Sequence, residues 1–445
     1  MALGGGTFFS QNKTLPGAYI NFVSTASASA TLSDRGTATM PLELDWGMEG
    51  KVFSVSSEEF QKNAQKLFGY VYTDKKMKGL RDLFLGARTL YVYRLNGGGT
   101  KASNAYASAR YSGVRGNDLK IGIQVNVDDK TAFDVMTYLG TVKVDSQTVK
   151  EATQLEANDY VEFKAEISLA PVAASPLSGG TNGTVDGAAY QEYLDQIESY
   201  TYNTMGVVTT DDTTKRLFAA FNRRMRDEMG NKFQLVVYNY PEADYMGVIS
   251  VKNKCLDGAM NTENGMRYPE EAAAVYWTVG AQAGCSVNAS CQNKKYNGEY
   301  TVDTAYTQAE LAEAIRKGEF VFHRVNSDIR VLDDINTLVT TTDTTGEVFK
   351  DNQTIRVIDQ LANDDAGIFS RKYLGIIPND SAGRSALWMD LVKIREELQR
   401  SRAIENFSSK DVRVLAGDTK KAVVVENVIT VANAMAKLYM TTTIE

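Results

Sequence analysis

Residues 371–445 limit the possible folds of this chain more than any other stretch. In their middle, apolar residues recur at steps of four, three and four, which places them on one face of an amphipathic helix. These residues are Leu387, Leu391, Ile394 and Leu398. Two β-branched runs follow, at 423–429 and 438–444, and both predict strands. The segment is therefore predicted to be α+β.

The second of these runs is followed directly by Glu445, without a polar tail or a proline. A strand in such a position leaves one row of backbone N–H and C=O groups unpaired. Unpaired edges join another chain unless something blocks them. We therefore expect this protein to assemble with copies of itself.

The order of short blocks in this segment resembles the C-terminal domain of contractile tail sheath proteins. The blocks are KYLG at 372–375, PND at 378–380, GR at 383–384, a Trp-containing helix and AMAKLYMTTTI at 434–444. Earlier blocks resemble the same family in the same order. They are PGAYINF at 16–22, RGTATMPLELDWG at 35–47, YSGVRGNDLKIGI at 111–123 and IRVLDDINTLVT at 329–340. The resemblance thus extends over nearly the whole chain.

Length and charge narrow the classes of function. A chain of 445 residues is too long for one ordinary core, so two to four domains are expected. A net charge of −7 argues against a general nucleic-acid binder, which needs a basic surface. No apolar run has the roughly 18–20 residues that span a bilayer, and residues 1–17 lack the features of a signal peptide. We expect assembly in a host cytoplasm, followed by a place in a virion tail or a phage-tail-like particle.

Changes of pattern along the chain predict its domains. Alternation of apolar and polar residues between two glycine-rich stretches predicts an inserted β-sandwich-like domain at 97–180, with glycine hinges at both ends. From about residue 186 helical and strand patterns alternate, which favours an α/β layer with parallel strands. The expected parts are an N-terminal arm at 1–24, core at 25–96 and 181–342, an α+β domain at 343–434 and an arm strand at 435–445. The family resemblance implies that the core is subtilisin-like.

Candidate catalytic and metal sites are few. The single histidine, His323, stands in FVFHRV with no nucleophile motif elsewhere, and no phosphate-binding loop is present. The cysteines Cys255, Cys285 and Cys291 form no C-x-x-C pair, so buried free thiols are expected. Acidic pairs lack the spacing of a calcium loop and are interpreted as solvated turns. They are Asp211-Asp212, Asp333-Asp334 and Asp364-Asp365. We expect no enzyme activity, no metal and no cofactor.

The resemblance implies a sheath of stacked hexameric rings around an inner tube, which contracts to drive the tube through a cell envelope. It also implies strand exchange, in which terminal arms complete a sheet in neighbouring subunits. The expected donors are Tyr19, Ile20, Asn21, Phe22 and Val23 at one end, and Leu438, Tyr439, Met440, Thr441, Thr442, Thr443 and Ile444 at the other. The implied partners are further copies of the chain, the inner tail tube protein, and baseplate and tail terminator proteins.

A cluster of cations beside the apolar helix face predicts where the inner tube is contacted. The cluster consists of Lys393, Arg395, Arg400 and Arg402. An ordinary solvated helix face explains the same cluster, and the sequence favours that interpretation; the contact with an inner tube is what the family resemblance implies. Complementary charge on a tube surface would set the register while adding little net affinity.

Two other functions are compatible with the sequence. A static tube-forming or capsid-like structural protein would polymerise but form only one lattice. A degenerate hydrolase on the α/β core would show protease or esterase activity. Electron microscopy and an activity assay on the purified protein distinguish the three hypotheses.

Overall fold

The computed structural model describes residues 32–257 and 270–444, which divide into two compact units. The larger consists of Asp34–Asn363 with Val431–Glu445, and the smaller has residues 32–33 and Asp364–Thr430 as its described part. The strands are β1 Thr37–Leu42, β2 Phe53–Ser56, β3 Thr89–Arg94, β4 Ala107–Ala109, β5 Leu119–Val125, β6 Phe133–Leu139, β7 Val142–Val149, β8 Val161–Phe163, β9 Val172–Pro176, β10 Thr204–Gly206, β11 Gln234–Tyr238, β12 Val248–Val251, β13 Glu319–Phe320, β14 Phe322–Val325, β15 Asp328–Val331, β16 Ile404–Glu405, β17 Val412–Ala416, β18 Val423–Asn427 and β19 Thr430–Val431. The α-helices are α1 Ser57–Phe68, α2 Lys78–Phe84, α3 Gly187–Ile197, α4 Asp212–Arg224, α5 Ala274–Gly284, α6 Gln308–Arg316, α7 Asn352–Ile368 and α8 Ser381–Arg400.

A seven-stranded sheet in the order β13-β12-β11-β10-β1-β3-β2 forms the centre of the larger unit, as far as the described residues extend. Neighbouring strands are parallel from β13 to β3, and only β2 runs antiparallel to its neighbour. The parallel α/β layer predicted from the alternating pattern is therefore confirmed. Strands β11 and β12 are buried on both faces and are accordingly mostly apolar, with Gln234 and Ser250 as their polar residues.

Helices cover both faces of this sheet. The apolar side chains of α1, α2 and α5 pack with Met40, Val92 and Val236 on one face. Those of α3 and α4 pack with Tyr93, Met205 and Val237 on the other. Helix α5 is apolar all round and buried along nearly its whole length, as expected for a helix inside a layered domain. Gly280 on α5 permits a close approach, because a Cβ atom there would lie 2.0 Å from the Leu83 carbonyl oxygen.

Two helix starts were predictable from local sequence. Ser56 and Glu59 form a reciprocal capping box at α1, and Thr307 and Glu310 form another at α6. Each box satisfies backbone N–H groups that the first helical turn leaves without a partner. Because a capping box involves residues only three positions apart, it can be recognised in the sequence without knowledge of tertiary contacts.

The inserted segment contains two antiparallel sheets, β7-β6-β5-β9 and β4-β8, around an apolar core. Within it, apolar and polar residues alternate at 119–127 and again at 161–167. The first stretch forms β5, but the second does not form one long strand. Strand β8 ends at Phe163, and Ala165 and Ile167 lie in irregular chain. The pairing of β8 with the three-residue β4 sets this limit, and the last ladder-like bond beyond it joins the Lys164 N–H to the Tyr106 carbonyl.

The inserted segment is attached to the core by buried contacts as well as by its two connections. The connections lie side by side, since the Gly183 N–H donates to the Asn96 carbonyl over 3.0 Å. Arg94, only 1% exposed, donates to the carbonyls of Gly47 in the core and Ser112 in the insert, over 3.1 and 2.8 Å. The two ends of the insert therefore lie close together. Free glycine hinges are not observed, because these bonds fix the junction.

The apolar run at 319–325 would suit one continuous strand, but it is interrupted. Its first two residues form β13 at the edge of the central sheet, and residues 322–325 form β14, which pairs with β15 in a separate hairpin. The hydrophobic pattern does not change at Val321, so the sequence offers no signal for the break. Pairing with two different partners, β12 and β15, decides it.

Helix α8 dominates the smaller unit. Its predicted apolar face is confirmed, because Leu387, Leu391, Ile394 and Leu398 are all buried. The Trp388 indole N–H donates to the Val412 carbonyl over 2.9 Å and fixes the start of β17 on the helix. Strands β17 and β18 pair antiparallel from Val412 opposite Asn427 to Ala416 opposite Val423. The run at 423–429 thus forms the shorter strand β18.

Candidate functional site

The C-terminal arm, residues 435–444, belongs to the larger unit and has no secondary structure. Its apolar side chains face solvent: the exposed fraction is 86% for Leu438, 87% for Tyr439 and 91% for Ile444. The predicted strand at 438–444 is therefore absent within a single described chain. A row of exposed apolar side chains of this size marks a surface that another molecule covers. Tyr19–Val23, the other predicted donor, lies outside the described residues.

The β17-β18 hairpin has no further strand on either edge in the described part of the chain, although the Val412 carbonyl at the start of β17 already accepts from the Trp388 indole. Within residues 32–257 and 270–444, each of its strands pairs only with the other. Leu415, Val424 and Val425 are exposed apolar side chains on it. The cross-strand ion pair of Arg413 with Glu426, 3.2 Å apart, is solvated on both sides and stabilises the hairpin only weakly. Two-stranded sheets are marginal by themselves, so this hairpin is suited to receive further strands.

A groove of about 550 Å³ opens beside this hairpin in the smaller unit. Phe369, Leu387 and Val423 give it apolar walls, and Arg384 and Lys420 give it a basic rim. The adjoining loop exposes Ile376 by 63%. The hairpin, the groove and this loop together form an extended apolar surface on the smaller unit, typical of a protein contact surface.

The cation cluster predicted on α8 is only partly on the surface. Lys393, Arg400 and Arg402 are exposed. Arg395 is 1% exposed and donates through both terminal nitrogens to the Asp365 carboxylate, each bond 2.6 Å long. The inclusion of Arg395 among tube-facing residues was therefore wrong. It follows Leu391 and Ile394 onto the buried face, where its charge requires an acidic partner.

Two acidic pairs interpreted as solvated turns are structural instead. Asp334 is 1% exposed and forms an ion pair with Arg356 at 3.1 Å. Burial disfavours the charged carboxylate, but Arg356 and the surrounding hydrogen-bond donors outweigh it and lower the pKa of Asp334. Asp365 is the partner of Arg395. Only Asp211-Asp212 fits the interpretation, since Asp211 caps α4 by accepting from the Thr214 N–H.

Helix α7 is the element that sequence reasoning missed most clearly. Its polar side chains Arg356 and Asp359 are buried, and Asp359 forms a two-bond ion pair with Arg226 of the π-helical turn after α4. Apolar residues do recur along this helix at helical spacing, at Ile355, Ile358 and Leu361, but charged side chains share its buried surface. The available signal was the unusual density of Asn, Gln, Asp and Arg in residues 352–364.

The histidine and the cysteines are not assembled into a catalytic constellation in the described chain. His323 lies on β14 opposite Arg330, and partial burial lowers the pKa of its imidazole. All three cysteines are buried free thiols, as predicted. Cys285 and Cys291 share a hydrogen bond that lowers the pKa of the first thiol and raises the pKa of the second. The Cys291 backbone N–H donates to Asp334, and the Ala289 carbonyl that accepts from Arg356 also accepts from the Cys285 thiol.

Metal binding and membrane crossing find no support among the residues described. No cluster of three or more His, Cys, Asp and Glu side chains there could hold a metal ion. No helix in that part of the chain combines the length and the apolarity needed to cross a bilayer.

Four protein families match successive parts of the chain. They are the tail sheath protein Gp18 domain III N-terminal region at 35–95, the phage tail sheath protein beta-sandwich domain at 97–182, the phage tail sheath protein central domain at 183–337 and the phage tail sheath C-terminal domain at 344–445. Together they cover almost all of the described residues. The match at 97–182 identifies the inserted segment as a β-sandwich domain.

Individual relatives agree with these matches. The phage-like element PBSX protein XkdK of Bacillus subtilis is 32% identical, over 98% of this chain and 99% of that protein. The crystal structure of a sheath tail protein from Desulfitobacterium hafniense is similar with a TM-score of 0.80 and 36% identity, covering 94% of this chain and 97% of the other. The helical sheath of the anti-feeding prophage in its contracted state shares the fold, with a TM-score of 0.57 and 12% identity over 97% of this chain and all of that one.

Proposed function

This chain belongs to the phage tail sheath protein family, and we propose that it polymerises as stacked hexameric rings around an inner tube. Contraction of this sheath would drive the tube through a cell envelope. One observation carries the proposal: the arm exposes its apolar side chains, while the β17-β18 hairpin has no further strand on either side in the described chain. The arm is a strand-prone segment without a sheet, and the hairpin is a sheet that lacks further strands. Joining them between subunits covers both.

Strand exchange would supply the hydrogen bonds that connect neighbouring subunits. When residues 438–444 of one subunit lie along the edge of a hairpin in a neighbour, backbone N–H and C=O groups pair as in any sheet. Each such bond contributes about 1 kcal/mol net, so a strand of this length contributes several kcal/mol per contact. Backbone bonds in an exchanged strand do not depend on the angle between subunit bodies. The lattice therefore stays connected while its geometry changes.

The N-terminal arm is the proposed second donor. Tyr19, Ile20, Asn21, Phe22 and Val23 form a short apolar run after the turn signal Pro16-Gly17. A run of this length is too short to form a stable sheet by itself. With one donor on each open edge, the two-stranded hairpin becomes a four-stranded sheet built from more than one subunit.

The proposed contact with the inner tube uses Lys393, Arg400 and Arg402, the exposed cations at and just beyond the C-terminal half of α8. An acidic patch on the tube would set the register of the sheath on it. The remaining proposed partners are the baseplate and the tail terminator, which would end the polymer at either side. Assembly would take place in the host cytoplasm before release in a tail or tail-like particle.

The proposed role is structural and not enzymatic. We infer a subtilisin-like arrangement for the α/β core without subtilisin's chemistry, since the chain offers no nucleophile motif around His323. The work of contraction would come from the difference in buried contacts between two lattice packings. Such a device requires no nucleotide.

Electron microscopy of the purified protein tests the proposal. We expect tubes from the wild type, and folded, soluble monomers from a variant lacking 438–445, from one lacking 1–24 and from Leu438→Pro. A proline in the exchanged strand removes a ladder donor and fixes φ. Val127→Pro, in an exposed loop of the inserted domain, is the matched control and should form normal tubes. Circular dichroism and sedimentation distinguish a monomer from an unfolded chain.

Normal tubes formed by the two arm-deletion variants would refute the strand-exchange mechanism. Unfolded variants would show that the arms belong to the core of their own subunit. A wild type that forms only one lattice before and after a contraction trigger would favour a static tube. Hydrolase activity abolished by His323→Gln would favour an enzyme.

A further inference from the structure

The root of the C-terminal arm is held by the side-chain amide of one buried glutamine. Gln353, at the start of α7, is 1% exposed. Its Nε2 donates to the Ala432 carbonyl over 3.1 Å, and its Oε1 accepts from the Ala434 N–H over 2.9 Å. The carbonyl of one residue and the N–H two residues later point to the same side of an extended chain. One amide therefore binds the arm as a neighbouring strand would.

Further contacts fix this glutamine and the residue between its two bonds. Asn433 donates through Nδ2 to the Thr354 Oγ1 over 3.0 Å. The Asp351 carboxylate accepts from the N–H groups of Gln353 and Thr354, over 2.7 and 3.1 Å. The fully buried side chain of Asn352 donates through its Nδ2 to the Asp334 carboxylate. The first turn of α7 is thus immobilised by buried groups before it meets the arm.

The hydrogen bonds between α7 and the C-terminal segment end abruptly. Ala434 is the last arm residue with a hydrogen bond to α7 among those described, and the next residue, Met435, has its side chain fully in solvent. Every residue from Met435 to Ile444 is exposed. The segment 432–444 therefore consists of an anchored root, residues 432–434, followed by the exposed arm, residues 435–444.

We propose that Gln353, supported by Thr354, is the positioning residue that sets where the exchange strand leaves the subunit. This inference rests on the proposed function, because it gives a role to an anchor that matters only if the arm is exchanged. The ligand of the site is a segment of this chain's own backbone. No property of the arm's side chains beyond Asn433 is needed for recognition.

The physical effect of the anchor is on effective concentration. A tethered strand finds its acceptor at a local concentration that falls as the flexible linker lengthens. Without the anchor, residues 432–434 would join the linker and their conformational freedom would have to be lost again on assembly. The anchor should therefore favour assembly without contacting the neighbouring subunit at all.

Hydrogen exchange of the Ala434 amide, followed by mass spectrometry, measures the anchor directly. In Gln353→Ala this amide loses its acceptor, and we expect it to exchange at least about tenfold faster. Gln353→Glu keeps the acceptor and loses the donor to Ala432, so an intermediate effect is expected. Gln191→Ala is the control, because this exposed glutamine bonds only within its own helix, to Asp195. It should leave the exchange rate unchanged.

Assembly is measured on the same variants as the concentration above which tubes sediment. We expect this concentration to rise several-fold for Gln353→Ala and to stay at the wild-type value for Gln191→Ala. Ala434→Pro tests the anchor from the arm side, since it removes the donor to Gln353 while α7 stays intact. Because Ala434 is exposed, this variant folds even if Gln353→Ala does not, and it should show the same rise.

The deletion of 438–445 separates the two proposals. If the deletion variant still forms tubes, the proposed strand exchange fails whatever Gln353 does. If the deletion abolishes tubes while Gln353→Ala and Ala434→Pro assemble like the wild type, exchange stands and the anchor is refuted. Unchanged exchange of the Ala434 amide in Gln353→Ala would also refute the anchor.

Discussion

Arg356 and Asp334 form an ion pair, 3.1 Å between Nη2 and Oδ2, in which the side chains are 0% and 1% exposed. The carboxylate also accepts from the Gln282 side chain over 2.6 Å and from the Cys291 N–H over 2.8 Å. Arg356 donates in addition to the Ala289 carbonyl over 2.8 Å. Helix α7, helix α5 and the loop after α5 thus meet at one charge pair. This ion pair fixes the three elements relative to one another.

Removing one partner of this pair should be strongly destabilising. Asp334→Asn leaves a buried guanidinium without its counter-charge, and the expected loss is about 3–5 kcal/mol of unfolding free energy. Thermal and urea unfolding measure it. Arg413→Gln breaks the exposed pair with Glu426 and is the control, with an expected change of less than about 1 kcal/mol. Equal effects of the two substitutions would contradict the role assigned to the buried pair.

Asp82 should make stability fall as pH rises. Burial raises the pKa of this carboxyl to about 6, against 3.8 for an ordinary Asp, although the Glu299 N–H and the Tyr296 hydroxyl donate to it. The folded state therefore holds this proton more tightly, and the stabilisation present below pH 3.8 is lost as pH rises through about 6. The loss is at most about 3 kcal/mol.

Asp82→Asn tests this linkage. The amide keeps an acceptor for the Glu299 N–H and carries no charge at any pH. We expect the variant to gain stability relative to the wild type between pH 4 and pH 8, as measured by unfolding at a series of pH values. A constant difference between the two proteins over that range would show that Asp82 does not titrate in it.

Arg395 and Lys393, two residues apart on α8, should behave in opposite ways. Arg395→Gln leaves Asp365 without its partner and should cost about 3 kcal/mol or more. Lys393→Gln should change stability by less than about 0.5 kcal/mol and weaken co-sedimentation with the inner tube protein instead. Tube binding that depends on neither Lys393, Arg400 nor Arg402 would remove this face from the proposed contact.

The inserted domain should be dispensable for tube formation but not for stability. Replacing residues 97–180 with a short Gly/Ser linker removes the Ser112 carbonyl that accepts from Arg94. The buried guanidinium then loses one of its acceptors, and we expect a loss of about 1–3 kcal/mol together with normal tubes. Restoring stability with Arg94→Met in the same background would identify Arg94 as the cause. A soluble, folded variant that never polymerises would place the domain in the lattice.

Local signals predicted local structure well. The capping residues Ser56 and Thr307, the apolar face of α8 and the alternation of β5 depend on spacings of two to four residues. The break at Val321 and the short β8 were not predictable, because strand length there follows from which partner is available. Gln353 escaped notice for the same reason. Its two partners are about 80 positions away along the chain.

By itself the sequence determined the classes of element, their order, the α/β alternation and an apolar arm, since periodicity and composition act within one segment. Only the tertiary structure decided which charged side chains are buried and which are exposed. Lys393 and Arg395 are both basic and both lie on α8, yet one is in solvent and the other is buried against Asp365. Which carboxylate can be reached from a helix position depends on the packing of distant segments. Buried ion pairs therefore become visible only when the chain is folded.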